Sequence, residues 1–192
     1  MAYKTYTTTA LVCGTKNRNT ADRSYLMFTR EAGMLFAEAK SAREERSRQR
    51  YALQDFSLVR VSLVKGEAGW RVGSIEALKN YYHQAADKSA RGSVVSVFRL
   101  LRRFLKGEEA SPDLFDFAVA SMDELAKEQE GRMFLQMVVQ IKILAHLGYV
   151  DVKNVPAELL EANPSNITSF ESEKSAKIIE SLYTQAITVS HL

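Results

Sequence analysis

The chain has 192 residues, 46% of them hydrophobic and 26% charged, enough apolar content to bury one good core or two small ones. Its net charge of +3 is unevenly placed: residues 1–71 carry 13 Lys/Arg against 7 Asp/Glu, whereas residues 72–192 carry 13 against 16. The single cysteine, Cys13, excludes an internal disulfide and a multi-cysteine zinc site, and fits a reducing, cytoplasmic setting. No stretch reads as a signal peptide or membrane span. Met1–Thr9 lacks the charged-then-apolar order of a leader, and the most apolar stretch, Met133–Val150, is interrupted by Gln136, Gln140, Lys142 and His146.

The first third reads as β-structure. Tyr6, Thr8, Ala10 and Val12 alternate with Thr7, Thr9, Leu11 and Cys13, and Gly14 is expected to end this strand before the polar turn Lys16–Asn19. Tyr25–Thr29 and Leu35–Ala37 flank Glu31-Ala32-Gly33, a hairpin loop whose glycine can take positive φ. Phe56–Lys65 is the clearest strand, with Val59, Val61 and Leu63 on one face, and Gly66–Gly69 turns the chain into Trp70–Ile75. Five strands in about 75 residues is the count of an OB-type barrel; an SH3-like barrel or an open meander has similar periodicity. From residue 76 the period becomes helical. Helices are expected over Ser93–Lys106, from Pro112 behind a Ser111 cap, over Arg132–Leu147, and after a capping box at Thr168-Ser169-Phe170-Glu171. The expected architecture is therefore α+β: an N-terminal five-stranded OB-type barrel, residues 1–78, followed by an all-α domain, residues 79–192.

Catalytic signatures do not emerge. The chain has no phosphate-cradling Gly-x-x-x-x-Gly-Lys, no His-Glu-x-x-His and no Gly-x-Ser-x-Gly. His83, His146 and His191 fall in separate elements, Cys13 reads as a buried inert thiol, and Asp113, Asp116, Asp123 and Glu124 read as helix charges. The expectation is a binding protein without metal, cofactor or enzymatic activity. Cations supply the positive signal. Lys40–Arg50 holds five cations, two acids, no aromatic and no branched aliphatic residue, so it reads as a mobile loop with nothing to bury, suited to a polyanion or simply solvated. The candidate nucleic-acid contacts are Lys16, Arg18, Arg23, Arg30, Lys40, Arg43, Arg46, Arg48 and Arg50. Tyr25, Phe28, Phe36 and Trp70 are candidate stacking rings, at least half of which a barrel core must claim. A second cluster, Arg99, Arg102, Arg103 and Lys106, has the spacing of one helix flank and is a candidate partner-binding surface for an acidic peptide.

Several stretches together resemble the RecO family of bacterial recombination mediators: Phe28-Thr29-Arg30-Glu31-Ala32-Gly33-Met34-Leu35, Ala39-Lys40-Ser41-Ala42-Arg43 with the cationic tract to Arg48, Leu53–Val59, and Ser74-Ile75-Glu76. Ala21-Asp22-Arg23 is similar to the family's acid-plus-base step, and Ile143–Tyr149 to its Leu-Gly-Tyr helix end. The resemblance implies an OB-fold followed by helices, binding of single- and double-stranded DNA, strand annealing, and help in loading recombinase. It also implies RecR and the single-strand-binding protein, through its acidic tail, as partners. On the matched positions it implies DNA contacts at Arg23, Arg30, Lys40, Arg43, Arg46 and Arg48. Many members carry a four-cysteine zinc module after the Leu-Gly-Tyr helix; here Asp151-Val152-Lys153 follows instead, and Ser41 and Asp55 stand where the family usually has Gly and Pro. Two other classes fit the same residues: an adaptor that holds the acidic tail peptide without gripping DNA, and an RNA-binding OB protein.

Overall fold

The computed structural model describes residues 5–18, 20–44 and 46–189, the side chains of Arg48 and Val189 excepted. Strands β1 (Thr5–Asn17), β2 (Arg23–Thr29), β3 (Gly33–Ala39), β4 (Ser57–Gly66) and β5 (Gly69–Asn80) close into a barrel in the order β1-β2-β3-β5-β4. All neighbouring pairs are antiparallel except β3 with β5, which run parallel. This order is that of an OB-type barrel, as the strand count led us to expect. The alternation read from the sequence holds in β4, where Val59, Val61 and Leu63 are buried with Val12, Tyr25, Met27, Leu35, Ala37 and Trp70 from the other strands.

Gly14 does not end the first strand. The register slips between Val12, opposite Met27, and Gly14, opposite Leu26, so Cys13 is the extra residue of a bulge and β1 continues to Asn17. The bulge adds twist. It lies where β1 changes partners, because Thr5–Leu11 pair with β4 whereas Ala10–Asn17 pair with β2. The β2–β3 loop is Arg30-Glu31-Ala32, with Gly33 at φ 65° opening β3.

The chain forms two compact units. One holds the barrel through Gln84 together with Lys106–Phe115; the other holds Ala85–Leu105 and the chain from Asp116 onward. In the barrel unit, the 106–115 segment lies against the β2–β3 hairpin. The Met34 N–H donates to Gly107 O at 2.9 Å, and Phe28 meets Phe115 edge-on at 5.2 Å. The fit at Gly33 is tight, since a Cβ there would lie 2.3 Å from the Glu109 carbonyl oxygen.

Besides the short α1 (Arg48–Ala52) and α2 (Tyr81–Gln84), both in the barrel unit, the helices are α3 (Lys88–Phe104), α4 (Pro112–Leu125), α5 (Arg132–His146), α6 (Ala157–Glu161) and α7 (Glu173–Val189). Helix α3 starts five residues earlier than expected. Asp87 caps it, accepting the Ala90 N–H at 2.7 Å, and also binds both terminal nitrogens of Arg132, at 3.2 and 2.9 Å. The backbone bond from Ala90, then Arg132, holds the Asp87 carboxyl below its usual range. Its first turn, Lys88-Ser89-Ala90-Arg91, lacks apolar periodicity, which is why the sequence pattern becomes visible only at Ser93.

Helix α5 is the buried centre of the helical unit, and its polar Gln140 is satisfied by the Ser96 hydroxyl at 2.9 Å. Gly148 at φ 78° closes it, with the Tyr149 N–H reaching back to Leu144 O at 2.9 Å. The expected capping box at Thr168–Glu171 is instead part of a 3₁₀ turn, Pro164–Phe170. The reciprocal cap is Ser172 with Ser175, each hydroxyl accepting the other's backbone N–H, at 2.9 and 3.1 Å.

Gly33→Ala should destabilise the chain by more than about 1 kcal/mol in urea unfolding, because positive φ and a carbonyl in the way act together. An unchanged midpoint would mean that the 106–115 segment moves aside freely.

Candidate nucleic-acid interface

The barrel gathers some of the expected cations at one end. Lys16 and Arg18 lie at the end of β1, Arg23 opens β2, and Lys40 and Arg43 lie in the turn that leaves β3. Two bonds tie these turns together, Arg43 N–H to Ala21 O at 3.0 Å and Ser41 N–H to the Asp22 side-chain Oδ1 at 2.9 Å, while Arg18 N–H to Asp22 O at 3.2 Å closes the β1–β2 turn on itself. Arg46 and Arg50 follow on the same connection, and both are exposed. The side chain of Arg48, like His191, lies outside the described residues.

Arg30 is not part of this group. It sits in the β2–β3 loop, beyond the far end of the seven-residue β2, about 20 Å along the strand from Arg23. There its guanidinium meets Glu31 at 3.4 Å.

The Lys40–Arg50 connection is not the burial-free mobile loop its composition suggests. Ala42 is fully buried in the barrel core, as is Leu53 just beyond the segment. Ser41 is held at φ 53° by the bonds just described, and the Gln49 side chain donates to Gly73 O at 3.3 Å. A methyl group needs little room under the barrel end, so a segment without branched aliphatics can still be pinned.

Surface pairing tempers the cations. Arg18 binds Glu38 through two nitrogens, and Arg60 meets Glu76 at 2.8 Å; both pairs are solvent-exposed, where such bonds exchange readily with other anions. Arg23 lies beside the Tyr25 hydroxyl; burial raises that group's pKa and the guanidinium opposes the rise. Sequence reasoning missed Arg71, exposed on β5 and paired across the barrel seam with Glu38. The inward-facing Trp70 and outward Arg71 alternate visibly, but only the parallel register shows what Arg71 stands beside.

Of the four candidate stacking rings, Tyr25 and Trp70 point into the core and Phe28 is covered by Phe115. Phe36 remains, 59% exposed on the outer face of β3. Tyr51, in α1 among the cations, is also exposed and was not singled out from the sequence.

In the helical unit, α3 presents Arg99 and Arg102 to solvent, while the Arg103 guanidinium lies 5.2 Å from the Phe104 ring. The four-residue flank expected from spacing is broken. The helix ends at Phe104, Leu105 turns extended, and Lys106 belongs to the barrel unit.

Cys13 is buried, with its Sγ 3.6 Å from Leu11 O, and His83 bonds Gln54 at 3.2 Å. Among the described residues no three His, Cys, Asp or Glu side chains come together as a metal site, and no helix is long and apolar enough to cross a membrane. A single buried cysteine does not fit a four-cysteine zinc module. After Tyr149 the chain instead packs 3₁₀ turns and α6, where Lys142 donates to Ala162 O at 2.6 Å. Burial lowers the Lys142 pKa, and its ammonium lies 4.8 Å from the Phe117 ring.

The model of the recombination protein O N-terminal domain matches residues 1–81, and that of its C-terminal domain matches residues 87–150. The chain belongs to the RecO family. It is similar to DNA repair protein RecO of Myxococcus xanthus, with 27% identity over 144 residues, 74% of this chain and 59% of that protein. It is 30% identical over 149 residues to the RecO protein of Desulforudis audaxviator, covering 76% and 58%, and 26% identical over 144 residues to that of Desulfitobacterium hafniense, covering 75% and 52%. The chain thus spans little more than half the length of the RecO proteins it matches. The RecO models end at residue 150, so the packed segment beyond Val150 lies outside the matched stretch.

Near the seam, the only tryptophan, Trp70, is flanked by the Lys65 ammonium at 4.9 Å, and Lys65 meets Glu108 at 3.1 Å. The Trp70 N–H, acting as a nearby dipole outside hydrogen-bond geometry, and then Lys65 hold the Glu108 carboxyl below its ordinary 4.5. A depressed carboxyl stabilises fully above its unfolded value and loses that contribution as pH falls through the folded one. Any step in Trp70 emission should therefore be centred below pH 4.5, and Glu108→Gln should remove it. A step centred above pH 4.5 would show that Lys65 and Trp70 do not act on this carboxylate.

Proposed function

We propose that the chain is a non-enzymatic DNA repair and recombination mediator that grips single- and double-stranded DNA mainly by its phosphates, anneals complementary strands and assists recombinase loading. The observation that carries this reading is the tying of the β1–β2 turn to the β3–β4 connection. It holds Lys16, Arg18, Arg23, Lys40 and Arg43 on one fixed frame, with Arg46, Arg48 and Arg50 continuing along it. Cations on a fixed frame lose little conformational freedom when a polyanion arrives, so less of the electrostatic gain is spent on ordering. Backbone phosphates are common to all sequences, so base specificity is low. Membership of the RecO family and the names of its relatives support repair as the setting. RecR and single-strand-binding protein are the partners the family resemblance suggests.

Single-strand affinity should fall steeply with salt, log Kd rising by about 0.7 per unit of log salt for each phosphate contact. A flat titration overturns the phosphate-grip reading. Replacing Arg43, Arg46, Arg48 and Arg50 together by Ala should weaken binding at least about tenfold, roughly 1–2 kcal/mol in total, with the thermal midpoint little changed. If the midpoint collapses instead, these cations serve the fold.

A second reading rests on exposed Arg99 and Arg102 with Arg103 over Phe104: an adaptor surface for an acidic peptide ending in an aromatic residue. Anisotropy with a labelled oligonucleotide and with such a peptide separates the two. Peptide binding lost in Arg99→Ala/Arg102→Ala, with no oligonucleotide binding by the native chain, favours the adaptor. RNA is distinguished from DNA by competition between oligonucleotides of one sequence.

A further inference from the structure

We infer that Phe36 is the residue by which this chain distinguishes unpaired from paired DNA, its ring serving as a one-base stacking platform beside a row of phosphate-binding cations. The inference rests on the DNA-binding reading above and adds a specificity residue to it. Inner and outer residues alternate along β3: Leu35, Ala37 and Ala39 fill the core, whereas Met34, Phe36 and Glu38 face outward. Register then defines three outward rows across the sheet. The row of Leu11, Phe28 and Met34 is buried, with Phe28 under Phe115. In the next, Gly14 pairs with Leu26 and Leu26 with Phe36. Leu26, half-buried, is the ring's neighbour across β2, and Gly14 beyond it adds no side chain to the row; Phe36 keeps 59% of its surface in solvent.

The third row lies two residues further along each strand, about 7 Å away. Here Lys16 pairs with Ser24, Ser24 with Glu38, and Glu38 with Arg71, while Arg18 reaches in to bind Glu38. A large exposed aromatic next to two cations and an exchangeable ion pair is a poor solubility surface and a poor protein interface. Its exposed apolar strip is Phe36 with the half-buried Leu26, and the row on one side of it carries Lys16, Arg71 and the Arg18–Glu38 pair. It suits a ligand that is itself flat and apolar on one side and anionic along its edge, which describes a nucleotide in a single strand. Paired bases have both faces covered by their neighbours, so a duplex can use the cations but not the ring.

The test compares Phe36→Ala, Phe36→Leu and Phe36→Trp in the full chain, with a labelled oligothymidine and a labelled duplex at one salt concentration. Phe36→Ala and Phe36→Leu should each lose at least about fivefold in affinity for the single strand, from the stacking contribution of one base. Duplex affinity and the salt slope should stay at native values. Phe36→Trp should restore single-strand binding, and its added emission should be quenched when the oligonucleotide binds. Native single-strand affinity in Phe36→Ala overturns the inference while leaving the phosphate-grip reading intact. So does native affinity in Phe36→Leu, which would make the ring mere apolar cover, or an equal loss on duplex and single strand. Failure of the native chain to bind either DNA removes both readings together.

Discussion

Closure of the barrel depends on its smallest seam: β3 and β5 join through two residue pairs, Ala37 with Trp70 and Glu38 with Arg71. Parallel strands cannot be joined by a tight turn, so a chain that pairs its third and fifth strands must cross over between them. In this protein the crossover begins with the cationic connection after β3, passes through α1 and returns as β4. The positive segment is therefore constrained by topology. Ala42 and Leu53 are drawn into the core, the Ser41 and Arg43 backbone is anchored to Asp22 and Ala21, and the Gln49 side chain donates to Gly73 O. The same seam places Trp70 inside and Arg71 outside beside Glu38, which links the order of the core to the charge pattern of the surface.

The parts of this fold that were legible in the sequence are those with an uninterrupted local period. Val59, Val61 and Leu63 announce β4, and Arg132–His146 announces a buried helix. Features that depend on a distant partner were not legible. Gly14 looks like a terminator because the polar Lys16–Asn19 follows it, although a glycine within a strand also marks bulges; only pairing with Leu26 reveals the bulge. The start of α3 was hidden because Asp87 draws its role from Ala90 and from Arg132, 45 residues away. Of the four aromatic rings with equal claims, three are buried, and only register separates Phe36 from them. The cations were identifiable by type, but spacing alone placed Arg30 with Arg23 although a whole strand divides them.

The helical unit solves a different problem, holding its later elements onto α5. Lys142 does part of this, its stem within the unit and its ammonium on the last carbonyl of the α6 turn and near the Phe117 ring. Buried apolar anchors at Val155, Leu159, Ile167 and Ile179 supply the rest. Each removes apolar surface from water, on the order of 1.5–3 kcal/mol for a fully buried side chain of this size before the entropy of ordering is subtracted.

The return of Lys106–Phe115 to the barrel unit between α3 and the body of α4 has a practical result for dissection of the protein. No single cleavage point yields a whole barrel unit. Ending the chain at Gln84 would strip Phe28 of Phe115 and Met34 of its Gly107 acceptor, leaving fresh apolar surface on the hairpin. A soluble, isolated barrel would need the 106–115 peptide grafted back through a linker, in the manner of a split protein.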